Sequence, residues 1–228
     1  MRQINDAEFG EITVRVIPKS SRISIRVAPN GSLRVSAPKF TPKLAIVTLI
    51  NSSRSEIRKM ISEQRTLYDT SQSIGKSHSL VIQTKPTTSS VTTTSTTIFV
   101  STPDESELVS ASLQQEIREH IVKALRKEAK SYLPRRLKYL AEKYDFSYSS
   151  TKLTHASSRW GSCSSTGTIS MNISLMKLPF ELIDYVLIHE LSHTKFMNHS
   201  DDFWQLVKTY EPNYIKYRRE LKNHSPNV

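Results

Sequence analysis

Three of the seven histidines of the chain lie within eleven residues of one another, in the stretch IHELSHTKFMNHSDDFW at 188–204. His189 and His193 are four residues apart, so on a helix both imidazoles project from the same face, about one turn from each other. Glu190 lies beside them, and His199 follows six residues after His193. HExxH alone is a short pattern that a structural helix can match by chance, but with a third histidine it predicts a metal site.

Zinc is the expected metal, with His189, His193 and His199 as its ligands. Three protein nitrogens leave a fourth coordination position for water, which is typical of catalytic zinc sites and not of closed structural ones. Glu190 is not needed as a ligand. We expect it to be the general acid/base, which takes a proton from water and passes it to the leaving group.

The elements around the motif are predicted to hold it rigidly. Alternating apolar residues in TISMNISLMKL predict a strand over 168–178. A helix is expected to begin at LPFE, residues 178–181, because proline is tolerated in the first turn and an early carboxylate suits the positive helix end. We expect this helix to end at Met197 and Asn198, since asparagine tolerates the left-handed conformation that turns the chain.

The segment after the third histidine is expected to fix that turn. Ser200 is a suitable cap for a helix over 201–210, and Phe203 and Trp204 would pack against the turn. A ligand histidine is usually oriented through its second ring nitrogen. The acids nearest in sequence that could do this are Asp201, Asp202 and Glu211.

The first hundred residues predict mainly strands. EITVRVIP, RISIRVAP and LRVSAP alternate in the strand manner over 11–37, which indicates a small antiparallel sheet with a turn at 29–32. A helix opened by a Thr-Pro pair is expected over 41–64. Two more strands are expected in SLVIQTK and TTTSTTIFVS. The threonine-rich tract at 87–97 predicts an exposed hairpin arm, because threonine favours strands yet gives little to bury.

The pattern becomes helical after residue 103. From Ser110 apolar residues recur at helical spacing, and Pro134 is expected to break or kink this helix before a second piece that runs to about Tyr144. The fold class is therefore α+β, with a small N-terminal β-rich domain at 1–102 that also carries a helix. A helical, zincin-like core with an edge strand is expected at 103–228.

Composition limits the partners and the site. The chain of 228 residues has no run that approaches the ~18 apolar residues of a membrane-spanning helix. Its start, MRQINDAEFG, lacks the order of a secretion signal, so we expect a cytoplasmic protein. One cysteine excludes a zinc site built mainly from thiolates. The net charge of +11 favours weak binding of nucleic acid or other polyanions, with a solvated lysine-rich surface as the alternative.

The loop SSRWGSCSSTG contains the one cysteine, Cys163. A nucleophilic cysteine would need a base, for which His155 is available, and a thiolate ligand would close the open metal position. We favour a third interpretation, in which Cys163 is a small residue in a tight loop beside the cleft.

Candidate substrate-binding residues are Arg159, Trp160, Cys163 and Asn172. Arg159 could bind a carboxylate or phosphate of the substrate, stabilise a charged intermediate, or form a surface ion pair. Trp160 is expected to pack and not to form a substrate platform.

Residues 157–222, with RWGSC, HELSH, NHS and FW, resemble the YgjP-like metallopeptidase family, relatives of the SprT and WLM zinc peptidases. The opening SRISIRVAPNGSLRVSAP followed by a helix is similar to that family as well, so the resemblance spans most of the chain. It implies the same three histidine ligands and Glu190 as catalytic acid/base. It also places Trp160 to Cys163 in a loop before an edge strand. The tract at 87–97 matches no family motif.

Hydrolysis of peptide bonds by a zinc metallopeptidase is the predicted function, with a peptide or protein as substrate. The strand around 169–173 is expected to bind an extended peptide by edge addition. One alternative is a zinc hydrolase of nucleotides or other phosphorylated small molecules, which the positive charge and Arg159 would suit. Another is a nucleic-acid-associated protease that cuts DNA-bound proteins, as the SprT and WLM relatives suggest.

Overall fold

The computed structural model describes residues 2–18, 20–27, 32–64, 68–85 and 88–228, and the turn expected at 29–31 lies outside them. The fold is mixed α+β, as predicted. Contacts divide the chain into two compact units, Met1–Leu67 and Tyr68–Val228, and not at residue 103 as expected.

The first unit contains a four-stranded sheet in the order β1-β2-β4-β3. Its strands are β1 (Arg2–Asp6), β2 (Gly10–Val16), β3 (Ser24–Val27) and β4 (Leu33–Ala37). The two outer pairings are antiparallel, but the central pairing of β2 with β4 is parallel, which the sequence analysis did not predict. Two helices, α1 (Lys43–Ser52) and α2 (Arg54–Gln64), replace the single helix expected over 41–64. The core of the unit is apolar and includes Ile12, Val14, Leu33, Val35, Ile46, Ile50 and Ile57.

The second unit begins with another four-stranded sheet, in the order β5-β6-β8-β7. Its strands are β5 (Gln72–Ser73), β6 (Ser79–Thr84), β7 (Ser90–Thr93) and β8 (Thr97–Thr102). The threonine-rich tract forms the β7–β8 hairpin, with Val91 opposite Val100. This hairpin is not a fully exposed arm, because Val91 is buried and β7 contacts the long helix that follows.

That long helix, α3 (Ala111–Lys143), explains where the units divide. Its buried stripe belongs to the same apolar core as Leu80, Ile98 and Val100 of the preceding sheet. A small sheet with one apolar face needs such a cover to bury that face. The change of pattern near residue 103 therefore marks the passage from strand to helix and not a boundary between units.

The predicted break at Pro134 does not occur, because α3 is continuous across it. An internal proline removes one backbone hydrogen bond and costs a helix ~3 kcal/mol in isolation. Leu133, Leu137 and Leu140 lie buried on both sides of the proline and offset this cost through tertiary packing.

A three-stranded sheet in the order β10-β11-β9 leads to the histidine motif. Its strands are β9 (Ser150–Thr154), β10 (Gly161–Cys163) and β11 (Thr168–Asn172). β11 pairs on both sides, parallel with β9 and antiparallel with β10. The strand predicted to be an edge is therefore central, and β10, which was predicted as a loop, is one of the two edge strands, with β9 as the other.

Three helices complete the unit: α4 (Phe180–Ser192), α5 (Asp201–Tyr210) and α6 (Tyr214–Glu220). α4 ends at Ser192, earlier than the predicted end at 197–198. Asn198 does not take the predicted left-handed conformation, since Asp145 is the one non-glycine residue with positive φ among those described. Within the described chain, no helix is both long and apolar enough to span a bilayer.

Candidate metal centre

The structure brings the three predicted histidines together. His189 lies in the last turn of α4, His193 directly follows the end of α4, and His199 belongs to the loop before α5. One potential ligand atom of each lies within 4.8 Å of the others. The cluster depends on the chain turning back after Ser192, which places the loop histidine beside the two helix-borne ones.

The spacing of the ring nitrogens fits a tetrahedral metal ion. Nε2 of His189 lies 3.2 Å from Nε2 of His199. Tetrahedral zinc with Zn–N bonds of 2.0–2.1 Å separates its ligand nitrogens by about 3.3 Å. Nδ1 of His189 is buried without a hydrogen-bond partner among the described residues, so packing and not a bond to its second nitrogen orients this ring. The donor set of three imidazoles therefore suits zinc.

A backbone carbonyl orients the middle histidine. His193 Nδ1 donates a hydrogen bond to the Phe196 carbonyl at 3.0 Å, which leaves Nε2 with a free lone pair. Glu211, one of the acids expected to do this, instead accepts a bond from the Asn213 N–H. No hydrogen bond or ion pair of the described residues links Asp201 or Asp202 to a histidine of the cluster.

Phe203 packs against all three histidine rings, and the sequence analysis predicted that it would pack against this turn. The Phe203 ring is fully buried, and its centroid lies 5.0, 4.5 and 4.8 Å from those of His189, His193 and His199. Trp204 stacks on His199 at 5.5 Å. Aromatic packing on several sides fixes the imidazole planes without using their nitrogens.

His189 and His199 are kept in the neutral form, which can donate a lone pair to a metal. Burial, followed by the charges of His193, His199 and Arg218, lowers the pKa of His189 to about 3. Burial also lowers the pKa of His199, with the charges of His193 and Arg218 acting in the same direction. A metal needs the unprotonated imidazole, so these shifts keep the lone pairs available at neutral pH.

Glu190 directly follows His189 on α4 and has one oxygen without a hydrogen-bond partner among the described residues. It is 6% exposed, and its Oε2 is buried without a hydrogen-bond partner. Burial raises the pKa of Glu190 to about 8, although the charge of Arg159 opposes this shift. A buried polar atom without a partner is costly in a folded protein and indicates a ligand or water.

Gly161 makes the position of Glu190 possible. A Cβ atom at Gly161 would lie 2.7 Å from both Cγ and Oε1 of Glu190. Only glycine lets β10 approach the helix this closely. The sequence analysis placed Gly161 in the RWGSC loop but missed this role, which no local pattern could have indicated.

An ion pair holds α4 against α3. Arg136 donates from Nε and Nη2 to the two carboxylate oxygens of Asp184, at 2.8 and 2.5 Å. Such paired hydrogen bonds fix orientation as well as distance.

The structure does not support substrate binding by Asn172. This residue is fully buried, and its Nδ2 donates to the carbonyls of Ala156 at 2.6 Å and Arg159 at 2.8 Å. Its Oδ1 accepts a bond from the Ser174 N–H at 3.0 Å. Because its polar atoms bond to the protein, Asn172 serves to hold the loop that carries Arg159.

Cys163 lies on β10 and not in a loop. Burial raises the pKa of its thiol, and the charge of Glu190 raises it further, so the nucleophilic thiolate is disfavoured. His155 follows β9, two strands away from Cys163 and beyond the far end of the paired region. Strands are ~4.8 Å apart, so the two side chains lie beyond hydrogen-bond distance.

The remaining candidates are Trp160, which was expected to pack, and Arg159, which was expected to meet a charged group. Trp160 is half-buried and packs against the apolar core of the second unit. Arg159 is exposed, and its charge reaches Glu190. Arg218 was missed by the sequence analysis, because nothing local connects α6 with the histidine motif.

Comparison with known proteins identifies the family of this chain. A solved structure, the crystal structure of the metallopeptidase zymogen of Pyrococcus abyssi abylysin, is 23% identical over 40% of this chain and 92% of its own. Its TM-score of 0.36 is too low to support a conclusion about the fold. No curated protein matches. Residues 21–224 match the family described as YgjP-like, metallopeptidase domain. The chain therefore belongs to the YgjP-like metallopeptidase family.

Proposed function

We propose that this metallopeptidase is zinc-dependent, with His189, His193 and His199 as the metal ligands and Glu190 as the general acid/base. The observation that carries the proposal is the cluster of three ligand atoms within 4.8 Å, next to a buried carboxyl group with an unpartnered oxygen. Family membership favours peptides over the phosphorylated small molecules that the sequence left open.

Zinc, when bound, supplies Lewis acidity, which polarises a carbonyl and acidifies water. Glu190 accepts the proton of the attacking water as the water oxygen bonds to the carbonyl carbon of the substrate. It then donates this proton to the amine nitrogen as the C–N bond breaks. Burial raises the pKa of Glu190 to about 8, which favours the protonated form that the second step needs. The charge of Arg159 opposes this shift and favours the ionised form that the first step needs.

The edge strand supplies a place for the peptide. β10 pairs on one side with β11, and within the described residues no strand covers its other side. An extended peptide that pairs with this edge uses backbone hydrogen bonds and few specific side chains. Because Gly161 of β10 touches Glu190, such a peptide lies beside the acid/base. The peptide site predicted on the strand at 169–173 is therefore reassigned to β10.

The nucleic-acid-associated protease stays a prediction. The net charge of +11 suits polyanion binding but does not locate it. A steep loss of DNA affinity with rising salt would identify phosphate contacts.

A peptide library incubated with zinc-loaded protein tests the proposed function. We expect cleavage that requires zinc and that Glu190→Gln protein does not perform. A parallel panel of nucleotides should stay intact. Phosphate release from the panel without any peptide cleavage would contradict the proposal.

A further inference from the structure

Arg218 lies next to the histidine cluster and has no carboxylate partner among the described residues. Its guanidinium carbon lies 4.6 Å from the centre of the Trp204 ring, and Trp204 stacks on His199 at 5.5 Å. The side chain is exposed, and its charge acts on both His189 and His199. This cation–π contact holds the guanidinium against Trp204, and its N–H groups have no hydrogen-bond partner among the described residues.

Arg159 is a second arginine without a carboxylate partner among the described residues, and it lies on the Glu190 side of the cluster. It lies two residues before Gly161, which touches Glu190, and its charge acts on that carboxyl group. The backbone of Arg159 is held in place, because the buried Asn172 amide donates a hydrogen bond to the Arg159 carbonyl at 2.8 Å. Asn172 is thus a positioning residue for this arginine.

Neither guanidinium has a carboxylate partner among the residues that the structure describes, in contrast to Arg54, Arg58 and Arg136. The one carboxyl group among the residues proposed for the centre, Glu190, is buried. The centre thus has two exposed arginines at its edges, and neither forms an ion pair with the exposed Asp201 or Asp202 within the described residues. The complementary group is a carboxylate that comes with the substrate.

We propose that Arg159 and Arg218 select peptides with acidic side chains close to the scissile bond, one arginine on the Glu190 side and the other on the His189–His199 side. The proposal rests on the proposed peptidase function and adds the class of its substrate. Paired N–H groups of arginine match the two oxygens of a carboxylate, so glutamate or aspartate is favoured over glutamine. Lysine is disfavoured because its positive charge is repelled by the arginines.

Three otherwise identical peptides test the proposal, with glutamate, glutamine or lysine on both sides of the bond that the library identifies. Cleavage is compared by kcat/KM in the wild-type protein, Arg218→Glu and Arg159→Glu. Arg219→Glu is the matched control, since Arg219 is the next residue on α6, is exposed, and contacts neither Trp204 nor a histidine ring. Zinc content and circular dichroism are measured for each variant.

The wild-type protein should prefer the glutamate peptide to the glutamine peptide by ~10-fold and to the lysine peptide by ~100-fold. Arg218→Glu and Arg159→Glu should each lower the glutamate-to-lysine ratio by at least ~10-fold, whereas Arg219→Glu should keep it. A wild-type protein without preference, or equal changes of the ratio in Arg218→Glu and Arg219→Glu, would overturn the proposal.

A binding measurement separates this proposal from the proposed function. In Glu190→Gln protein loaded with zinc, tryptophan fluorescence should report tighter binding of the glutamate peptide than of the lysine peptide, and Arg218→Glu should reduce the difference. If acidic peptides bind preferentially but no peptide is cleaved by wild-type protein, the peptidase proposal fails and the selectivity stands. Equal binding of both peptides overturns the selectivity regardless of turnover.

Discussion

Gly161 and Glu190 touch across the contact between β10 and α4, at a distance that leaves no room for a Cβ atom. The edge strand and the acid/base are therefore fixed relative to each other by one glycine. Glu190 is buried, so its side chain has little space in which to move away.

Gly161→Ala tests this contact. The added methyl group must displace the Glu190 carboxyl, and a misplacement of about 1 Å can cost ~100-fold in rate. We expect zinc binding to persist and turnover of the library peptide to fall by ~10- to 100-fold, with a modest loss of stability. Ser162→Ala on the same strand is the control, because neighbouring strand residues face opposite sides. Normal turnover by Gly161→Ala would show that the contact is not needed.

His193→Ala tests the metal ligands. Purified wild-type protein should carry about one zinc ion per chain, as for a site with three protein ligands. Loss of the His193 imidazole removes one of three nitrogens together with the ring that stacks on Phe203 at 4.5 Å. We expect elemental analysis to show little zinc in the variant. Full zinc content would refute the ligand assignment.

Glu190→Gln separates metal binding from proton transfer. Glutamine keeps the size of the side chain but cannot accept a proton, so the fold and the zinc content should be unchanged. Loss of a general base costs ~100- to 10,000-fold in rate. The measurement is kcat/KM on the library peptide at equal zinc occupancy. Near-normal turnover would mean that another group is the base.

Cys163→Ser tests whether the thiol takes part in the chemistry. Burial and Glu190 raise the pKa of this thiol, so little thiolate is present at neutral pH. We expect the serine variant to keep its zinc and most of its activity, and the wild-type protein to react slowly with alkylating reagents. A loss as large as that of His193→Ala would assign the thiol a direct role.

Glu128→Gln tests a buried carboxylate on α3. Burial by itself raises the pKa of Glu128, but hydrogen bonds from Lys76, His78 and Ser77 outweigh it and leave the pKa below its usual value. The backbone N–H groups of Lys76, Ser77 and His78 donate to it at 2.7, 2.9 and 3.0 Å. Replacing it should cost ~1–3 kcal/mol of unfolding free energy at pH 7.

The sign of its pH dependence follows from the lowered pKa. The stabilisation is present above the unfolded-state pKa of about 4.3 and is lost as the pH falls through the lower folded-state pKa. Urea unfolding at pH 7 and pH 3 should therefore show a smaller difference between wild type and Glu128→Gln at pH 3. Glu116→Gln, an exposed position on the same helix, should differ little from wild type at either pH. An equal difference at both pH values would contradict this account.

Features set by neighbours in the chain were predictable. The four-residue spacing of His189 and His193 determines that they share a helix face, and the apolar residues around them determine that α4 is buried. The strands β2, β3 and β4 and the helix over 201–210 follow from their periodicity, whereas β1 was not predicted. The predicted helix ends and helix breaks were less accurate. α3 continues through Pro134 because packing of its leucines outweighs the lost hydrogen bond.

Features set by distant segments needed the tertiary structure. A period of two in TISMNISLMKL indicates a strand but not its neighbours, so the sequence could not tell that β11 is central and β10 is the edge. Only the folded chain brings Gly161 against Glu190, aims the Asn172 amide at the Arg159 carbonyl, and places Arg218 over Trp204 beside the histidines. The sequence by itself determined which side chains could bind a metal, because helix geometry is local. The tertiary structure decided what surrounds these side chains, because packing between distant segments is not a local property.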